Sequence, residues 1–197
     1  YRSAIADYSQ IIRYNPNDGV AYFSRGNAYR AQGRPDLALS DYDRALEIDQ
    51  AYIAAYAARA RIHQDMDDAE AAIADYSAAI SLSPNHAPYY VDRGTAHLAL
   101  PDMDKAFADF AMAIRLDPAL ATAYSGRARV HELRSKNAEA IVDYGKAIEH
   151  DPKNPDLYAA RANLQLASGA HELALADFDK AIELAPEASG SYQARAR

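Results

Sequence analysis

The residues of this chain best suited to chemistry come in rows. Arg25, Arg59, Arg93, Arg127, Arg161 and Arg195 stand 34 residues apart, and so do Asp7, Asp41, Asp75, Asp109, Asp143 and Asp177. A planar guanidinium fork matches a carboxylate with two parallel hydrogen bonds, so the chemistry these rows offer is ion pairing. Each Asp is expected to pair with an Arg across packed helices, the Arg of the following unit being favoured over that of its own, Asp7 with Arg25 and Asp41 with Arg59. His63, His97 and His131 form a third row at the same spacing, in the place of Tyr29. Imidazoles bind zinc, but equivalent residues on neighbouring helices lie ~8–10 Å apart and cannot share one ion. These histidines read as packing residues; His86, His150 and His171 fall at turns or helix ends.

The stretch Asp65-Met66-Asp67-Asp68-Ala69-Glu70 has the density of carboxylates that calcium needs. It lacks the central Gly and the distant Glu of a calcium loop. Its acidic residues are better placed to cap a following helix, where the dipole favours them. No metal and no cofactor is expected. The chain has no cysteine, hence no disulfide, no thiolate–zinc site and no thiol nucleophile. The motifs G-x-x-x-x-G-K-[ST], G-x-G-x-x-G, G-x-S-x-G and H-E-x-x-H are all absent, and no acid, base and nucleophile set stands outside the rows. A non-catalytic protein is the expectation.

Composition narrows the class further. A net charge of −7 opposes general binding to nucleic acid or to an anionic membrane. No apolar run approaches the ~20 residues of a spanning helix. Half the residues are hydrophobic, enough for a folded core, and many are alanine, the best helix former. No signal peptide is visible. The chain starts at Tyr1 without an initiator Met, as if cut from a longer protein. A cytoplasmic location is expected, with the periplasm left open.

The rows require regularly repeated elements to carry them. Tyr22, Tyr56, Tyr90, Tyr124, Tyr158 and Tyr192 share the 34-residue period, as do Tyr8, Tyr42, Tyr76, Phe110, Tyr144 and Phe178. Within one unit, Tyr22, Gly26 and Tyr29 lie on one helical face, and Ala38, Tyr42, Ala45 and Leu46 lie on another. Gly33-Arg34-Pro35-Asp36 breaks the pattern between them, and Asp-Pro or Ser-Pro ends most units. Each unit is therefore helix A, turn, helix B, turn. The frames are 1–18 for a lone helix B, then 19–52, 53–86, 87–120, 121–154 and 155–188, then 189–197 as the start of a further helix A. Solenoid ends without polar caps are normally insoluble. Ile5, Tyr8 and Ile12 at one end and Tyr192 at the other are expected to be under-buried, or covered by end-to-end stacking of copies.

Period and pattern together resemble the tetratricopeptide repeat over the whole chain, on Tyr22, Gly26, Tyr29, Ala38, Tyr42 and Ala45 and their equivalents. Gly26, Ala60, Gly94, Ala128 and Ala162 are small where helix A approaches helix B. The resemblance implies an all-α, right-handed superhelical solenoid of stacked antiparallel helix pairs, with helix A lining a concave face. Where the family has leucine this chain has its arginine row, at a semi-buried site that needs partners. The Arg–Asp ladder therefore reads as a register-fixing structure, in preference to an Arg-lined ligand groove.

Ligand positions on such a scaffold are those of helix A that vary between units. They are Phe23, Asn27 and Arg30; Ala57, Arg61, Gln64 and Asp65; Val91, Thr95 and Leu98; Ser125, Arg129 and Glu132; and Ala159, Asn163 and Leu166. The Lys and Asn clamp with which the family holds chaperone C-termini is missing, because Phe23 and Ala58 occupy two of its places. The function expected is a scaffold for a protein or peptide partner. The alternatives are a regulatory or substrate-recruiting arm of a larger enzyme, and an end-to-end self-association module.

Overall fold

The computed structural model describes residues 1–186, all of whose regular elements are α-helices. The expectations for Tyr192, Arg195 and the segment 189–197 lie outside the described residues. The described residues form two compact units, residues 1–101 and residues 102–186. The first holds α1 (Arg2–Tyr14), α2 (Gly19–Ala31), α3 (Pro35–Ile48), α4 (Ile53–Asp65), α5 (Ala69–Leu82) and α6 (Ala87–Ala99). The second holds α7 (Met103–Leu116), α8 (Ala121–Leu133), α9 (Asn137–His150), α10 (Pro155–Ala167) and α11 (His171–Leu184). The all-α class and helix pairing expected from the sequence are what the molecule has. α2 packs on α3, α4 on α5, α8 on α9 and α10 on α11, each pair joined by a connection too short for anything but an antiparallel neighbour.

The turn inside each pair is built the same way. Gly33, Asp67, Ser135 and Gly169 take positive φ values of 70°, 60°, 57° and 78°. The next residue's amide then donates back five positions, as in Arg34 N to Tyr29 O at 3.0 Å and Lys136 N to His131 O at 2.8 Å. This caps the otherwise unpaired carbonyls of helix A, and glycine suits it because an added Cβ opposes positive φ. The acidic stretch is one of these turns. Asp67 occupies the left-handed position, and Asp68 caps α5 by accepting from Ala71 N at 3.1 Å.

The proline that ends a unit has a second role. Its carbonyl accepts from the tyrosine hydroxyl six residues on: Tyr90 to Pro84 at 2.9 Å, Tyr124 to Pro118 at 3.2 Å and Tyr158 to Pro152 at 3.1 Å. The hydroxyl thus ties the inter-unit turn to the next helix A.

Helix A is clasped on more than one side, which explains its small residues. α4 buries Ala55, Ala57, Ala58, Ala60 and Ile62. Ala57 therefore belongs to the packing and not to a ligand face. A Cβ on Gly26 would stand 2.8 Å from the Tyr42 ring, so only glycine allows α2 to sit this close to α3. Tyr42, Tyr76 and Phe110 are fully buried as the large side chains of helix B. α1, by contrast, has no buried residue, and Ile5, Tyr8 and Ile12 are only half-buried.

Candidate functional site

The arginine row does not pair as the spacing suggested. Arg25 bonds Asp41, Arg59 bonds Asp75, Arg127 bonds Asp143 and Arg161 bonds Asp177, all sixteen residues on and within one helix pair. Each is a two-bond fork, at 2.6–2.8 Å. The expected pairings Asp7–Arg25 and Asp41–Arg59 are corrected by hairpin geometry. An antiparallel pair brings the middle of helix A opposite its own helix B, and Asp41 is already engaged by Arg25. The preceding helix B lies on the other flank and offers the residue two beyond its Asp. Arg25 reaches Ser9 at 3.1 Å, Arg59 reaches Asp43 at 2.6 Å and Arg93 reaches Ser77 at 3.0 Å. Asp7 itself is exposed.

The carboxylates of Asp41, Asp75, Asp109, Asp143 and Asp177 are buried. Each guanidinium also lies over the tyrosine one turn before it, for example Arg59 over Tyr56 at 5.8 Å and Arg127 over Tyr124 at 5.8 Å. The carboxylate bonds push the Arg59 and Arg127 pKa values upward against the opposing effect of burial. These groups are fixed charges, each guanidinium held by a buried carboxylate of its own pair while keeping an edge in water.

The histidines are packed as expected. His97 is buried, His131 meets the Phe107 ring edge-on at 5.4 Å, and His63 lies 3.7 Å from Asp68. Gln165 takes the fifth place in their row and is buried as well. Among the described residues no group of three or more His, Asp or Glu is placed to hold a metal ion, and no helix is long and apolar enough to cross a membrane.

The varied helix A positions divide into three kinds. Phe23 packs on Tyr52 at 4.9 Å and on Tyr42 at 5.7 Å, and Leu166 packs against the cluster of Ala162, Ala174 and Phe178. A second group is held by helix B. The Tyr42 hydroxyl donates to Asn27 at 2.8 Å, and the Tyr76 hydroxyl donates to Gln64 at 2.7 Å. Burial, then the neighbouring Glu132 carboxylate, pushes the Tyr144 phenol up; burial dominates at Tyr76. The third group stays open to solvent: Arg30, Arg61, Asp65, Thr95, Arg129 and Asn163 are exposed. Val91, Leu98, Ser125 and Glu132 are intermediate.

Spacing alone did not reveal Asp92. It occupies the place of Ser24, Ala58, Gly126 and Ala160, where the chain otherwise has small residues. Its Oδ2 lies 3.6 Å from the Arg61 guanidinium, and its carbonyl accepts from the Gln64 amide at 3.3 Å. Burial raises the Asp92 pKa, with Arg61 opposing. In the second unit Arg129 bonds Glu132 at 2.6 Å. The open face of helix A thus carries basic, acidic and amide groups side by side.

Comparison with known proteins agrees with this architecture. Profiles of the tetratricopeptide repeat match residues 19–52, 57–121 and 155–187, and a TPR repeat profile matches 133–169. No curated protein sequence matches the chain. Among solved structures, YrrB, described as a TPR protein with an unusual peptide-binding site, is 20% identical with a TM-score of 0.74, covering 96% of this chain and 98% of its own. MamA of Desulfovibrio magneticus RS-1 is 18% identical with a TM-score of 0.77, covering 86% of this chain and 96% of its own. PilF of Pseudomonas aeruginosa is 20% identical with a TM-score of 0.79, covering 89% of this chain and 80% of its own. At such identities the structures speak to the fold alone, while the matched repeats cover most of the sequence. The chain belongs to the tetratricopeptide repeat family.

Proposed function

We propose that this protein is a non-catalytic scaffold that binds a protein or peptide partner along the open face of its A helices. Tetratricopeptide repeat proteins in general are interaction scaffolds, and the structurally similar YrrB is described as having a peptide-binding site. The observation that carries the reading is the contrast between two rows on the same helices. The row Arg25, Arg59, Arg127 and Arg161 repeats without change and is spent on internal pairs. The row Asn27, Arg61, Thr95, Arg129 and Asn163 changes from unit to unit, and its arginine side chains are 55% and 60% exposed. A partner contacts the second row without disturbing the first. Arg61 and Arg129 offer cationic donors, Asn163 an amide, and Leu98 an apolar contact.

An array of twelve-residue peptides probed with the purified protein tests the reading. Bound peptides lose affinity with Arg61→Ala or Arg129→Ala, and keep it with Lys146→Ala on the exposed side of α9. Equal loss in all three variants, or none in any, contradicts the reading. A second reading, end-to-end self-association, draws on the accessible Ile5–Tyr8–Ile12 face of α1. Light scattering over a concentration series detects the growth it requires.

A further inference from the structure

We infer that a cavity in the first unit takes a basic side chain of the partner, a lysine or an arginine; the inference rests on the scaffold reading above. The cavity has a volume of about 330 Å³ and is lined by Gln64, Asp67, Ala69, Thr95, Ala96, Ala99 and Leu100. This lies at the lower end of the ~300–1,000 Å³ typical of ligand pockets. It sits one turn beyond the Arg61–Asp92 pair, at the C-terminal ends of α4 and α6.

Two independent features set the charge of its occupant. The first is side-chain charge: Asp67 lines the cavity, Asp65 is exposed two residues before it, and no lining residue is cationic. The second is the backbone. α4 ends at Asp65 and α6 at Ala99, so two helix C-termini bring partial negative charge to the cavity, against the single N-terminus of α5 at Ala69, which the Asp68 carboxylate already caps. Each favours a cation. A metal ion is a poor occupant, since one lining carboxylate falls short of the six or more oxygens that calcium takes, roughly.

The floor selects a side chain over a bare cation. Ala69, Ala96, Ala99 and Leu100 offer an apolar wall for the aliphatic stem of lysine or arginine, whose charged head then reaches Asp67 at the mouth. Gln64 is already committed, accepting from Tyr76 and donating to the Asp92 carbonyl, so it shapes the cavity without competing for the head group. The acidic stretch 65–70 thereby combines two roles, a helix-pair turn and the rim of a cation-accepting pocket.

The same twelve-residue peptide array provides the test. Peptides bound by the wild-type protein are enriched in lysine or arginine at one position, and replacing that residue by glutamine weakens them. Thr95→Lys, which places a cation on the exposed rim, weakens them about tenfold or more through like-charge repulsion. Asp67→Gly removes the carboxylate while relieving the positive φ, so unfolding cannot account for its effect. It weakens the peptides about fivefold, the scale of one solvent-screened ion pair. Peptide binding with no basic preference, or unaffected by both variants, overturns the inference and leaves the scaffold reading standing. No peptide binding at all removes both.

Discussion

Arg127 Nε and Nη2 donate to the two carboxylate oxygens of Asp143 at 2.7 Å each, joining α8 to α9 by a flat, closed fork. Asp143 is 6% exposed and Arg127 25% exposed in their side chains. Such a pair fixes how two helices meet more surely than it adds net stability. Removing one partner strands the other. Arg127→Ala is expected to lower unfolding stability by about 2–3 kcal/mol, below the full penalty for a wholly buried pair because the guanidinium touches water. Arg127→Lys keeps the charge but loses the fork, and falls between. Urea unfolding of the three proteins measures the order; an unchanged midpoint for Arg127→Ala would refute the structural role.

Gly126 sits where a Cβ would meet Phe110 Cε1 at 2.3 Å. Phe110 is 1% exposed and has nowhere to retreat. Gly126→Ala should therefore destabilise by about 1–3 kcal/mol despite alanine's better helix propensity. Thermal unfolding that moved upward in this variant would contradict the close approach of α7 to α8.

Ser135 holds a φ of 57° at the turn between α8 and α9, where the equivalent residues Gly33 and Gly169 are glycines. Ser135→Gly is expected to stabilise by roughly 0.5–1 kcal/mol, the left-handed strain relieved exceeding the entropy added to the unfolded chain. Calorimetry gives the sign, and a lower melting temperature would speak against the turn.

Asp92 bears a pH dependence whose direction is set by burial. Its folded-state pKa is raised above the ordinary value, so folding takes up a proton between the two values. Above that window the ionised carboxylate is a stability penalty; as pH falls through the raised pKa the penalty disappears. Asp92→Asn should therefore raise the melting temperature at neutral pH, and the difference from wild type should shrink in acid. A difference independent of pH would show that desolvation of this carboxylate is not at issue.

The fold was legible because the 34-residue rows mark helix faces directly: Tyr90, Tyr124 and Tyr158 bond the inter-unit turns, and Tyr42, Tyr76, Phe110 and Tyr144 fill the core. Pairing was less legible. A spacing of sixteen and one of eighteen both bring an Arg and an Asp across packed helices, and only the hairpin's own geometry decides between them. The open face was harder still. Variation marks Asn27 and Gln64 as readily as Arg61, yet two tyrosine hydroxyls hold the first two. Asp92 carried no periodic signal, since it replaces a small residue in a row that has no other chemistry.

Partners of this scaffold lie on its A helices. Amide chemical-shift mapping of the labelled protein with a peptide bound tests it most directly. Shifts are expected to concentrate at Arg61, Thr95, Arg129 and Asn163, with Val142 and Leu175, exposed on helices α9 and α11, unmoved. Shifts centred on Val142 and Leu175, with the A helices silent, would contradict it.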